Sequence, residues 1–384
     1  MITGIKVRNF KSLSDFSLLD LPPFSCLIGL NGSGKTTVLQ LFDFIGQLMH
    51  GRGEMRGWNP TELITGGSRA RTIHLTVSLL IDDKHLSWHG AFNVDKKRME
   101  NEQIRFDNGS ELFKVEAGRT LVMQGENNPD RKDIAFLNYQ GSLLSSLKIS
   151  DPWILSVKNE LASLKSFDLL SPASLRSASK KSNELGLGGD GLPGFLSQLD
   201  SEQSESLMNT LSQFYPRLQA FEIKRRQFGW KNLLIKEYQR TVQTGHINDG
   251  LLRILAILSQ RYSSSGFLFF DEIENGINQE IVQKLVEQLQ NFRDKQLMVT
   301  THSAQVLNYL NDSAARKSVY LLYQDIEGLT HARKFYDIPA VSELLEFMGP
   351  GQAMSQTNLI ELATQLCQKD DLPQNDDKKS GTEA

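Results

Sequence analysis

Gly29-Leu30-Asn31-Gly32-Ser33-Gly34-Lys35-Thr36 fits the pattern G-x-x-x-x-G-K-[ST] and follows the apolar run Phe24-Ser25-Cys26-Leu27-Ile28. A strand therefore runs into a glycine loop and then a helix, whose apolar positions are Val38, Leu39, Leu41, Phe42 and Ile45. Such a turn points successive backbone N–H groups inward and adds the positive end of a helix dipole, so the ligand it implies is a polyphosphate. Gly29, Gly32 and Gly34 let the main chain approach phosphate oxygens. Lys35 is placed to reach the β and γ oxygens as a point charge, and Thr36 to hold Mg²⁺ through its hydroxyl. Asn31, Ser33 and Thr37 take supporting places around the same loop.

A phosphate loop does not say what is done with the nucleotide, so the next residues to find are carboxylates. Gly266-Phe267-Leu268-Phe269-Phe270-Asp271-Glu272 is an apolar run ending in two acids. It reads as a central parallel strand buried on both faces, with its carboxyl end at the ligand. Asp271 is then the Mg²⁺ ligand and Glu272 the group that polarises the attacking water.

Around these two anchors further segments stand in a recognisable order, and the chain resembles the ABC-type ATPase heads of the SMC and RecF class, including compact prokaryotic AAA-like ATPases. Asn9-Phe10-Lys11-Ser12 matches that class's opening motif, in which the basic residue and serine lie beside the nucleotide. Tyr139-Gln140-Gly141-Ser142 is similar to the Q-loop, which implies that Gln140 touches Mg²⁺. Ile247-Asn248-Asp249-Gly250-Leu251-Leu252-Arg253 resembles the signature motif, which reaches across a dimer to the other subunit's γ-phosphate. Asn248 stands where serine is usual and Asp249 where the first glycine is usual, which leaves room for slow turnover. Glu274-Asn275-Gly276-Ile277-Asn278 resembles the D-loop, and Val299-Thr300-Thr301-His302-Ser303 the switch strand, with His302 at the γ-phosphate. The resemblance implies an α/β P-loop fold with a mixed central sheet, an antiparallel β subdomain and a helical lobe. It implies ATP and Mg²⁺ as cofactors, hydrolysis of ATP to ADP and phosphate, and an ATP-dependent homodimer.

Composition is that of a globular enzyme. The 384 residues are 39% hydrophobic and 23% charged, enough for one large or two modest cores. The only cysteines, Cys26 and Cys367, cannot build a zinc cluster. No run of eighteen apolar residues occurs, and Met1-Ile2-Thr3-Gly4 reads as the start of a strand, so the expectation is a cytoplasmic protein without a membrane partner. A net charge of -3 speaks against constitutive coating of nucleic acid.

Along the chain, residues 1–140 read as a first ATPase lobe. Its alternating stretches 72–81 and 85–92 form antiparallel strands, with later turns at Gly109 and Gly118. His74, His85 and His89 fall there without companion ligands at metal spacing. Residues 141–245 read as a helical lobe, with Trp153, Val157, Leu161, Leu164 and Phe167 at helical spacing and a Ser, Gly and Lys-rich mobile loop at 177–194. Residues 246–367 read as the second ATPase lobe, and 368–384 as a disordered tail. Lys96-Lys97-Arg98 and Lys224-Arg225-Arg226 are the compact basic clusters, each read as a solvated strand face ahead of a nucleic-acid contact.

No heptads persist, so the chain lacks the long arm of SMC proteins, and no nuclease constellation is visible. The expected role is a sensor or regulatory ATPase of a prokaryotic anti-phage defence or toxin-type system, working with a separately encoded effector such as a nuclease. The alternative is a RecF-like DNA repair ATPase that binds DNA directly, with nucleic acid left open as a partner. A transporter ATPase is the third reading, disfavoured by the Asn9-Phe10-Lys11-Ser12 opening.

Overall fold

In the computed structural model, which describes residues 1–52, 60–123, 130–134, 137–168 and 170–370, the chain opens with the antiparallel pair β1 (Ile2–Phe10) and β2 (Leu13–Leu19). Then comes β3 (Phe24–Ile28), which feeds the glycine loop and α1 (Lys35–Met49). Six further strands follow: β4 (Thr72–Ile81), β5 (Lys84–Asn93), β6 (Arg98–Phe106), β7 (Glu111–Glu116), β8 (Thr120–Met123) and β9 (Asp130–Asp133). With β1 and β2 they make an eight-stranded antiparallel sheet in the order β2-β1-β4-β5-β6-β7-β8-β9. The expected alternation is plain in β4, where Ile73, Leu75, Val77, Leu79 and Ile81 are buried and their neighbours less so. The apolar face closes on α1, with Phe44 packed between Phe10 and Phe92 at ring distances of 5.4 and 5.2 Å.

The second half builds α2 (Pro152–Ala162), β10 (Leu164–Phe167), α3 (Pro172–Leu175), α4 (Leu192–Leu196) and α5 (Ser201–Phe214). A three-stranded sheet of β11 (Leu218–Arg225), β12 (Lys231–Glu237) and β13 (Arg240–Gln243) precedes α6 (Asp249–Ser259). Next come β14 (Phe267–Phe270), α7 (Gln279–Gln290), β15 (Gln296–Thr300), β16 (Val319–Gln324) and β17 (Thr330–Lys334). The central sheet has the order β10-β14-β15-β3-β16-β17, parallel except for β17. Its central strand β14 is apolar throughout because both faces are covered. Phe267 and Phe269 pack toward α1, with Phe42 stacked on Phe267 at 4.7 Å, while Leu268 and Phe270 join the core beneath α6 and α7.

Three expectations are corrected here. The helical spacing from Trp153 breaks after Leu161: α2 stops at Ala162, and Leu164 and Phe167 belong to strand β10. Pairing with the open edge of β14 satisfies that backbone, and the Ser166 hydroxyl donates to Leu39 O at 3.0 Å, so tertiary contact overrides the local period. Residues 141–245 are therefore not a purely helical lobe, since they also contain β10 to β13. The stretch 177–194 is irregular but packed: Leu185 and Leu192 are buried, and Ser179 exchanges two backbone hydrogen bonds with Lys231. At the C-terminus residues 368–370 complete the helix Leu359–Asp370, and the rest of the expected tail lies outside the described residues. Among the described residues no helix is long and apolar enough to cross a membrane.

Candidate nucleotide site

All the parallel strands of the central sheet end at the same edge, and the glycine loop leaves β3 at that edge. Gly32 and Gly34 have φ of 81° and 98°, a region that side chains resist. A Cβ at Gly34 would collide with Thr330 on β17, so glycine is required there by conformation and by space. Thr330 in turn is fixed to Ser12: the two hydroxyls lie 2.8 Å apart and Thr330 N donates to Ser12 O at 2.8 Å. Ser12 thus braces the loop from behind. Lys11, in the turn between β1 and β2, reaches α1 instead, its Nζ donating to Gln40 Oε1 at 3.0 Å, and burial brings its pKa down to about 8.

An open cleft of about 360 Å³ is lined by Asn31, Gly32, Gly34, Lys35, Thr36, Thr37, Asp271, Glu272 and His302. Lys35 folds back and donates to Gly29 O at 2.9 Å and Leu30 O at 3.0 Å. Burial lowers its pKa, opposed by the negative charges of Asp271, Glu272 and Glu274. Asp271 Oδ2 lies 3.5 Å from the Thr36 hydroxyl. The Thr300 hydroxyl donates to Asp271 Oδ1 at 2.5 Å and accepts from Glu272 N at 2.8 Å, so one side chain positions both acids. Burial raises the Asp271 pKa, helped by like charge from Asp168 and Glu272.

Glu272 is held at φ 45°, in the left-handed region. A strained acid at a strand end is characteristic of a functional position, and here the Thr300 contact and a bond from Asn275 Nδ2 to Glu272 Oε2 at 2.6 Å fix it. His302 Nε2 stands 4.0 Å from Glu272 Oε1, and the His302 amide donates to Glu274 Oε1 at 2.7 Å.

The cleft fits a magnesium nucleotide. A lysine, the Thr36 hydroxyl and the Asp271 carboxylate face it together with the glycine loop, a donor set suited to phosphate and Mg²⁺. Among the described residues no group of three or more His, Cys, Asp or Glu could hold a metal by itself. That suits Mg²⁺, which takes one or two protein ligands and completes its shell with phosphates and water. Thr36 and Asp271 are the pair placed to supply them.

Two sets of expected site residues lie elsewhere. Gln140 is at the wrong end of α1: the neighbouring Gly141 packs on Leu48 O, and its N and O bond Lys97 O at 2.9 Å and Met99 N at 2.8 Å. Fifteen helical residues, about 22 Å, separate that end from Lys35, so Gln140 cannot share a metal with Thr36 here. The Tyr139 hydroxyl, bonded to Met99 O at 2.5 Å, anchors the segment to β6 instead. The sheet position beside Asp271's strand is taken by β10, whose carboxyl end carries Asp168. Asn248, Asp249 and Gly250 also do not line the cleft. Asn248 caps α6, its Oδ1 accepting from Leu251 N at 3.2 Å. Arg176 pins the segment, donating to Ile247 O at 2.7 Å and pairing with the Asp249 carboxylate. Sequence reading missed Asp168, Arg176, Thr300 and Thr330; only Thr300 had a local signal, its place in the quoted switch strand.

Residues 1–185 match the family described as "AAA ATPase domain", and residues 233–308 match "AAA domain, putative AbiEii toxin, Type IV TA system". Among curated proteins the chain is 24% identical over 196 residues to Structural maintenance of chromosomes protein 2 of Dictyostelium discoideum, covering 48% of this chain and 16% of that protein. It is 31% identical over 124 residues to the DNA replication and repair protein RecF of Edwardsiella ictaluri (strain 93-146), covering 32% of each. The chain thus spans about a third or less of the length of the curated relatives it matches. Its fold is that of a solved SMC head bound to the C-winged helix domain of ScpA, with a TM-score of 0.55 over 86% of this chain and 96% of that one at 13% identity. Together these sequence matches and this fold support an SMC/RecF-like ABC-type ATPase head.

Proposed function

We propose that the protein binds and hydrolyses ATP with Mg²⁺, and that two copies close over two nucleotides. Lys35 and the amides of residues 31–37 hold the phosphates, and Thr36 with Asp271 would hold the metal, which screens phosphate charge when bound. Glu272 accepts a proton from water as its oxygen bonds to the γ-phosphorus and the bond to the β–γ bridging oxygen breaks. His302 contacts the γ-phosphate from the switch strand.

The observation that carries the two-copy reading is a division within one chain. Lys35, Thr36, Asp271, Glu272 and His302 gather in one cleft, while the signature segment at the N-terminus of α6 is not among the residues that line it. A second copy would bring that helix end, with its favourable dipole, to the γ-phosphate. Glu272→Gln keeps the cleft and removes the base, so with ATP this variant should run as a dimer by light scattering. A monomer at micromolar protein would refute the scheme.

The closure would drive a separately encoded effector of a toxin-type or anti-phage defence system. The match of residues 233–308 to a toxin-antitoxin family supports this role. The stretch shared with RecF supports a second reading, ATP-dependent binding of duplex DNA across the dimer. Co-purification of a neighbouring nuclease or toxin favours the first, and an ATP-dependent, salt-sensitive duplex gel shift the second.

A further inference from the structure

The hairpin joining β11 to β12 ends in a feature that the nucleotide site does not use. Its tip, residues 226–230, turns through Phe228 at φ 58° and Gly229 at φ 78°, closed by Arg226 N donating to Trp230 O at 2.7 Å. Phe228 is 88% exposed and Trp230 43% exposed, on a chain whose other phenylalanines are mostly core. Two aromatic rings in water at one turn cost apolar hydration that core packing would have recovered.

Cations surround them. Arg225 and Lys231 stand directly opposite each other across the ladder, on the face that farther back carries Phe221, Ile223, Leu233 and Ile235. Like charges at a cross-strand pair destabilise a hairpin, and here they occupy positions where the alternation calls for apolar residues. Lys224 and Arg226 flank the pair. The two backbone bonds between Ser179 and Lys231 bring a distant segment alongside, so that Lys180 lies 5.9 Å from the Trp230 ring centroid and Lys181 within electrostatic range of Lys231. Among the described residues none of Lys180, Lys181, Lys224, Arg225 and Arg226 takes part in a salt bridge, and the hairpin's Glu222 is engaged by Lys236 farther back. A chain of net charge -3 thus concentrates uncompensated positive charge around two exposed rings.

We propose that this tip is a binding site for single-stranded nucleic acid, with bases stacking on Phe228 and Trp230 and phosphates on the surrounding Lys and Arg side chains. Stacking on exposed rings needs unpaired bases, which favours a single strand over a duplex, and the cations supply the charge that a phosphate chain requires. The site is separate from the cleft and its occupancy does not depend on ATP.

The test is fluorescence anisotropy of the full chain with labelled oligo-dT and oligo-U of about 20 nucleotides, a duplex of equal length, and phosphatidylserine vesicles. The double variant F228A/W230A should weaken single-strand binding by about tenfold or more with little change in salt dependence. The variant R225A/R226A should lower the salt slope by about two. Both lie at the exposed end of the hairpin, and circular dichroism checks that they fold. Lys35→Ala should leave the single-strand affinity unchanged, so failure of the nucleotide reading and failure of this one are told apart. Absence of single-strand binding, equal binding of duplex without loss in F228A/W230A, or preferential binding of vesicles lost in the same variants would each overturn the proposal.

Discussion

The two large sheets solve the same burial problem in opposite ways. The parallel strands of the central sheet are covered on both faces and point the same way, so their carboxyl ends meet at one edge, and polar groups gather there: Asp168 after β10, Asp271 after β14, Thr300 at the end of β15, the glycine loop after β3. The antiparallel sheet covers one face, alternates, and buries its polar chemistry inside. Glu102 on β6 is 1% exposed and accepts from Trp88 Nε1 at 2.9 Å, the Ser142 hydroxyl at 2.5 Å and Leu143 N at 3.1 Å. Asp271 and Glu272 at the edge of the first sheet face an open cleft; this acid faces only its own protein. A strained or buried carboxylate is therefore a functional clue only when an open cleft meets it.

Substitutions should separate the two sheets by what they lose. The largest effect is expected from Glu272→Gln, which should slow phosphate release by about 1000-fold while leaving thermal unfolding in place. Next, Lys35→Ala should weaken ATP binding by about 100-fold, read by calorimetry, because no other fixed cation lines the cleft among the described residues. In the antiparallel sheet the losses should reverse. Glu102→Ala strands three buried donors and should cost about 3 kcal/mol of stability in urea titration, with ATP affinity per folded molecule unchanged.

A pH series sharpens the same contrast. Burial raises the Glu102 pKa from its ordinary 4.5 to about 7, against the pull of its three donors. The folded state then binds the extra proton between those values, so this contribution to stability is full below about 4.5 and is lost as pH rises through about 7. Glu102→Gln removes that titration, and its stability should vary less across the window than the wild type's. The smallest effect is expected from Gln140→Ala, at the far end of α1: Mg²⁺-dependent ATP binding should stay within about twofold of wild type. A large loss there would mean that the segment moves to the cleft when nucleotide binds.

Much of the fold was legible because the relevant physics is local. A buried parallel strand reads as an unbroken apolar run, as in β14, and a half-buried one alternates, as in β4. The stretch 164–167 misled because four residues continue a helical spacing, and only the edge of β14 decides between strand and helix. Within the cleft, the glycine loop, Asp271, Glu272 and His302 were readable as motifs. Gln140 was placed by order and spacing, and spacing does not reveal that its neighbours bond to β6.

From the sequence alone came the glycine-loop motif, the acids at the end of an apolar strand and the resemblance to one class of ATPase head. Each follows from a short stretch whose backbone geometry and chemistry are set by its own residues. Only the tertiary structure decided that Ser12 fixes Thr330, 318 residues away, against Gly34, that Arg176 holds the loop before α6, and that Lys180 stands over Trp230. These contacts depend on where separate segments come to rest, which the sum of burial across the whole chain sets and no local pattern records.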